Sequence, residues 1–313
     1  MLARVPLRRA ILAFATLYVV WGSTYLAIRF ALTAWPPFLM ASVRFAAAGL
    51  LLYLFLRLRG VPPPDRSGWR AAALAGGLML GIGNGLVSWA EQWVPSSTAA
   101  LIVASVPLWM TVLPWLEAAR AGEGRATRPR PLVLLGVVVG LVGVAVLLRG
   151  GETQAASARG VAAPAWAPLM LVVSALTWSV GSLWSRRLPL PRSPFMATAA
   201  EMLVASPMLL AASAARGELG GVSAAMLAPR PLAAVAYLVL FGSIAGFGAY
   251  VWLLLNTSPA RASTYAFVNP LIAVVVGSAL GHEQLGPRTF AATALIVVSV
   301  AAVVWGTTAQ RNV

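Results

Sequence analysis

Residues 132–148 read LVLLGVVVGLVGVAVLL, an unbroken stretch without a polar side chain, set between Arg130 and Arg149. A membrane helix needs about 20 predominantly apolar residues, so a run this apolar with charge only at its ends reads as a bilayer span. Working outward from it, the same pattern recurs at about 10–31, 37–56, 71–92, 97–117, 166–185, 194–215, 232–255, 260–281 and 289–308, giving ten spans. The longest gaps, near 57–70, 118–131, 149–165 and 216–231, are Pro/Gly/Ala/Arg segments too short to fold as domains. The first span follows Arg4, Arg8 and Arg9 as a signal peptide would, but it outruns a usual signal-peptide apolar region and is expected to be retained.

Composition agrees with the spans. Of 313 residues, 60% are hydrophobic and only 10% charged, and the mean hydropathy is +0.84. These values exclude a soluble enzyme, a disordered chain and a disulfide scaffold. The absence of cysteine removes thiolate chemistry and Cys-based metal sites. A net charge of +15 would suggest nucleic acid in a soluble protein, but all 23 basic residues are arginines, and only Arg29 and Arg44 fall inside spans. Counting the remaining arginines on alternate sides of ten spans puts 16 on one side and 5 on the other. The positive-inside rule then orients both termini to the cytoplasm.

The chain also resembles itself. At an offset of 157, Trp21, Pro37 and Phe38 fall on Trp178, Pro194 and Phe195; at 163, Gly83, Gly85, Trp89, Pro107 and Leu108 fall on Gly246, Gly248, Trp252, Pro270 and Leu271. Spans 1–5 (residues 1–149) and 6–10 (166–313), joined by a linker at 150–165, therefore read as two copies. Five is odd, so the second copy is inverted, an architecture used by alternating-access carriers.

Several segments that carry this repeat also carry a resemblance. Trp21-Gly22-Ser23-Thr24-Tyr25, Pro36 through Phe45, Ala200-Glu201-Met202-Leu203, Ser258-Pro259 through Asn269-Pro270, and Gly281-His282-Glu283 resemble the EamA family of the drug/metabolite transporter superfamily. The resemblance implies an all-α protein of ten helices in an inverted repeat, resident in a bacterial inner membrane, that exports small metabolites or drugs. It names no particular substrate and implies no cofactor.

A carrier needs a cavity near the midplane, and broken helices are the usual way to expose backbone groups there. Pro107 and Pro270 lie mid-span in spans 4 and 9, each removing a backbone hydrogen bond, with Ser105 and Asn269 close beside them. Trp21, Ser23, Thr24 and Tyr25 in span 1 and Asn84 in span 3 are further candidates for the cavity wall. Trp178, Tyr250 and Tyr265 in spans 6, 8 and 9 complete the set. The family's central cavity is formed mainly by helices at these positions and helix 4, and the chemistry suits amino acids or amphipathic drug-like solutes.

Glu201 and Arg44 are charges within spans, where each costs roughly 2.5–3.5 kcal/mol on insertion scales, so both are candidates for coupling or gating. Inversion places them toward opposite faces, and no direct ion pair between them is expected. Glu91, at the outer end of span 3, is a further gating candidate that would guard the cavity mouth, with a plain helix-end charge as the simpler reading. His282 with Glu283 is too small a set for a metal site. Gly81, Gly83 and Gly85, with the Gly-x-x-x-Gly pairs Gly136/Gly140, Gly242/Gly246 and Gly277/Gly281, read as close helix packing. The single Asp, single His and absent hydrolase motifs argue against an enzyme. A non-transporting membrane sensor or assembly protein on the same fold is the alternative to a carrier.

Overall fold

The structure is a computed structural model; it describes residues 7–121, 130–148, 164, 166–256, 265–283 and 285–310. The 150–165 linker, apart from Pro164, and the Ser258-Pro259 segment lie outside the described residues. Among those described there is helix and turn but no strand.

The helices are α1 (Leu7–Ala31), α2 (Pro37–Leu58), α3 (Arg66–Gly76, Gly77–Asn84 and Gly85–Ala90), α4 (Ser96–Val103 and Val106–Arg120) and α5 (Pro131–Leu148). They continue as α6 (Ala167–Ser185), α7 (Pro194–Ala215), α8 (Pro229–Tyr237, Leu238–Ala245 and Gly246–Asn256), α9 (Tyr265–Gly281) and α10 (Pro287–Gln310). Seven helical stretches are long and apolar enough to cross a membrane; Pro131–Val146, Val268–Gly281 and Pro287–Val303 are shorter apolar stretches within the described residues.

Local chemistry explains the ends. Proline occupies the first turn of α2, α6, α7 and α8, where its missing N–H has no helical partner to lose. The Asp65 carboxylate accepts from the Gly68 amide at 2.7 Å and starts α3 at Arg66, a turn earlier than hydropathy predicts. Glu218, in a short turn beyond α7, accepts from the Leu39 amide at 3.0 Å and so caps α2 from a distance in sequence.

Close packing depends on the glycines. A Cβ on Gly76 would stand 2.6 Å from the Glu201 carbonyl oxygen, one on Gly85 2.8 Å from Leu209, and one on Gly136 2.9 Å from the Ser299 carbonyl oxygen. These approaches join α3 to α7 and α5 to α10, as the small-residue pattern predicts. Helices α2 and α7, both 22 residues long, lie against each other and are linked by the Ser42 hydroxyl donating to the Ser206 carbonyl at 2.9 Å.

The surface inverts the usual soluble arrangement. Leu50, Leu54, Leu135, Val138, Val275 and Val298 are exposed, while Arg44, Glu91, Glu201 and Asn269 are buried. An apolar exterior around polar interior groups is the surface that hydrocarbon solvates.

Candidate functional site

Three interruptions of the α-helical ladder surround the centre of the molecule. Helix α3 widens into a π-helical segment over Gly77–Asn84, and α8 does the same over Leu238–Ala245, each eight residues long. Helix α4 breaks at Ala104–Ser105 and resumes with Pro107 in the first turn of its second half. By contrast, α9 runs continuously through Pro270. The two prolines are therefore not equivalent: Pro107 restarts a helix and Pro270 sits inside one. Such local departures from α-geometry often mark functional sites.

Between them lies a cavity of about 90 Å³. Trp21, Thr24 and Tyr25 of α1, Asn84 of α3, Trp178 of α6, and Tyr265, Asn269 and Pro270 of α9 line it, together with Arg44 of α2 and Ser174 and Phe247. The remaining candidates lie outside the lining. The Ser23 hydroxyl is 2.7 Å from that of Tyr237, Ser105 accepts from the Trp109 indole at 3.3 Å, and Pro107 is buried in packing. Tyr250 stands behind Trp21, with ring centroids 5.3 Å apart.

Trp21 organises this region. Its indole N–H donates to the Gly242 carbonyl at 3.1 Å, in the π-helical part of α8. Its ring meets Phe247 and Tyr265 edge-on, each at 5.2 Å, and Trp178 at 6.4 Å. Any side chain on Gly246 would run into that indole, so the fit requires glycine there. One helical turn before Trp21 on α1, Leu17 is fully buried in an apolar cluster with Leu253 of α8.

Ion pairing decides the opposite end. The Arg29 guanidinium donates to Glu283 Oε1 at 2.5 Å, and the same oxygen accepts from the Ser96 hydroxyl at 2.6 Å and the Ser96 amide at 2.8 Å. Oε2 accepts from the Ser97 amide at 3.1 Å. One carboxylate thus caps the N-terminus of α4 and ties it to α1 and to the segment after α9. Burial pushes this carboxyl up, but the donors from Ser96 and Ser97 and the Arg29 charge outweigh it and hold it below the ordinary glutamate value. Arg29 follows Ile28 and Ser96 precedes Ala100 by one turn, and both Ile28 and Ala100 line the cavity. The lock therefore lies about one helical turn beyond the cavity.

The charged candidates settle differently. Arg44 lies in the cavity wall, donating to Ser243 Oγ at 2.9 Å, and makes no ion pair with Glu201. Glu201 is buried where α7 meets Gly76 of α3. Glu91 corrects the expectation of an ordinary helix-end charge: it is 1% exposed, and neither carboxylate oxygen has a hydrogen-bond partner. Packing of α3 against its neighbours carries this helix end inward. No group of three or more His, Cys, Asp or Glu side chains able to hold a metal occurs among the described residues.

Arg29, Ser96 and Glu283 were not legible as a unit, although an arginine near a span end was a signal that each spanning charge needs a partner. The π-helical segments were signalled only indirectly, by the glycine clusters around Gly81 and Gly242.

The comparisons with known proteins place this architecture. The EamA-like transporter family matches residues 8–149 and again 165–305. An uncharacterised inner membrane transporter, YedA of Escherichia coli K12, is 40% identical over 295 residues, covering 94% of this chain and 90% of its own. The uncharacterised transporter YvbV of Bacillus subtilis is 24% identical, covering 98% of this chain and 95% of its own. A crystal structure of a protein 22% identical superposes with a TM-score of 0.63, covering 98% of this chain and 99% of the other, and shares the fold. The apolar helices and these relatives make the protein a multi-pass protein of the inner membrane. With both halves matched, the chain belongs to the EamA-like transporter family of the drug/metabolite transporter superfamily.

Proposed function

We infer that the protein is a secondary transporter that exports small organic solutes, amino acids or amphipathic drug-like molecules, by alternating access through the central cavity. The observation that carries this reading is a cavity walled by helices from both halves of the chain, next to a broken helix and two π-helical segments. An apolar cavity of about 150 Å³ admits benzene. At about 90 Å³ this one must widen to admit an amino-acid-sized solute, as expected of a carrier between its open states.

The topology proposed is ten spans in two inverted five-helix repeats, 1–149 and 166–313, with both termini cytoplasmic. Support comes from the two family matches, from paired α2 and α7, and from π-helical segments of equal length in α3 and α8. Exchange of conformation between such halves opens the cavity alternately to each side. In this orientation the Arg29–Glu283 lock closes the outer end and the Leu17–Leu253 contact the inner end.

Counterflow tests the reading. Protein reconstituted in liposomes preloaded with unlabelled amino acids and related metabolites is expected to give a transient overshoot of one labelled solute. Folded protein that gives no overshoot with amino acids or amphipathic drugs would instead favour a non-transporting sensor or assembly role.

A further inference from the structure

Arg44 carries the inference. It is 3% exposed, lies on α2 and lines the cavity. Its Nε donates to Ser243 Oγ at 2.9 Å, and Nη1 reaches Asn84 Oδ1 only at 3.5 Å. A guanidinium has five N–H donors, so most of this one's capacity is unused by the described residues. No described carboxylate comes within ion-pair distance; Glu91 acts on it only through space. An arginine keeps its charge in essentially every protein environment, and a buried guanidinium with no carboxylate in direct contact leaves its donors unsatisfied and its charge only partly balanced. An anion from outside the chain resolves both deficits.

The rest of the cavity selects among anions. Trp21, Tyr25, Trp178, Phe247 and Tyr265 line the same cavity with aromatic surface, and among the described residues no second cation lines it. A phosphate dianion needs more charge and more donors than this wall supplies. One planar guanidinium matches one carboxylate, through two parallel N–H···O bonds. Asn269 adds a second polar contact: it is 7% exposed, lines the same cavity, and its Oδ1 has no hydrogen-bond donor. That oxygen accepts from an N–H or O–H of the solute.

The geometry points to a monocarboxylate receptor: Arg44 holds the carboxylate of the transported solute, the aromatic wall holds its apolar body, and Asn269 accepts from a donor on it. This rests on the transport reading above and narrows it, excluding amphipathic amines that lack a carboxylate.

The test compares four probes of similar size, namely L-phenylalanine, 3-phenylpropanoate, phenethylamine and benzyl alcohol. Binding to purified protein is read by tryptophan fluorescence, and transport by counterflow. The two carboxylates are expected to bind, the amine and alcohol not. Arg44→Gln is expected to weaken carboxylate binding by about tenfold to a hundredfold, the effect of losing a charge-assisted hydrogen-bonded pair, and Arg44→Lys to recover part of it. Phenylalanine bound more tightly than phenylpropanoate would assign Asn269 its donor, and Asn269→Ala should remove that difference.

Equal binding of phenethylamine, or carboxylate binding unchanged in folded Arg44→Gln, overturns the proposal. So does failure of either carboxylate to bind the wild-type protein, a result independent of how the variants fold. Arg44-dependent binding without counterflow would sink the transport reading and leave the receptor standing. Counterflow of an amine that is indifferent to Arg44 would do the reverse.

Discussion

Removing the Glu283 carboxylate should open the cavity from the end where Arg29 lies. In Glu283→Ala the guanidinium loses this carboxylate and the first two amides of α4 lose their acceptors. Breaking a buried ion pair from one side costs about 3–5 kcal/mol. Arg29 retains 17% side-chain exposure and can turn to water, so the lower end, about 3 kcal/mol, applies. If the lock forms only in the state closed at this end, that loss shifts the closed-to-open ratio by about a hundredfold.

The chain has no cysteine of its own, so a single introduced thiol is a clean reporter. Ala100, 2% exposed and in the cavity wall, is the position for it. With Ala100→Cys as background, a membrane-impermeant thiol reagent added from the lock side should react far faster after Glu283→Ala. Ser96→Ala, which removes one hydrogen bond to the carboxylate, should have an intermediate effect of roughly tenfold, following from about 1.5 kcal/mol for a bond to a charged group. Equal labelling rates in all three proteins, each eluting as a folded species, would refute the idea that this ion pair closes the cavity.

Three further outcomes follow from the same contacts. Because the folded state depresses the Glu283 carboxyl, its contribution is complete above the unfolded value and is lost as pH falls through the folded one; the labelling rate at position 100, divided by that of the same thiol in Glu283→Ala so that the thiolate's own pH dependence cancels, should therefore rise toward one in acid. Gly76→Ala forces a Cβ onto the α7 backbone 2.6 Å away and should destabilise by about 1–3 kcal/mol in thermal melting, whereas Gly248→Ala, with its nearest contact at 3.7 Å, should melt as wild type. Glu201, buried between helices and outside the cavity wall, is expected to act structurally; Glu201→Gln should leave export under an imposed pH gradient coupled as in wild type, and loss of that coupling would make it a proton carrier instead.

The positions of the helices were legible in the sequence because hydropathy is a local property: a segment such as 132–148 is apolar whatever its neighbours do, and proline marks the first turns of α2 and α7. The aromatic and polar residues of α1, α6 and α9 were legible as cavity candidates for a related reason. Polar groups within an apolar span need partners or water, which narrows their placement to the interior.

What sequence alone determined is therefore where the apolar helices lie along the chain and which family its motifs belong to. Tertiary structure alone decided which groups meet. Arg29 and Glu283 are 254 residues apart and Arg44 and Ser243 are 199 apart; no hydropathy pattern sets such distances. They depend on how far each helix is rotated about its axis and how closely the glycines let it approach its neighbours. The same packing buries Glu91 and turns Arg44 into the cavity, because a helix carries its polar groups wherever the fit of its apolar faces places them.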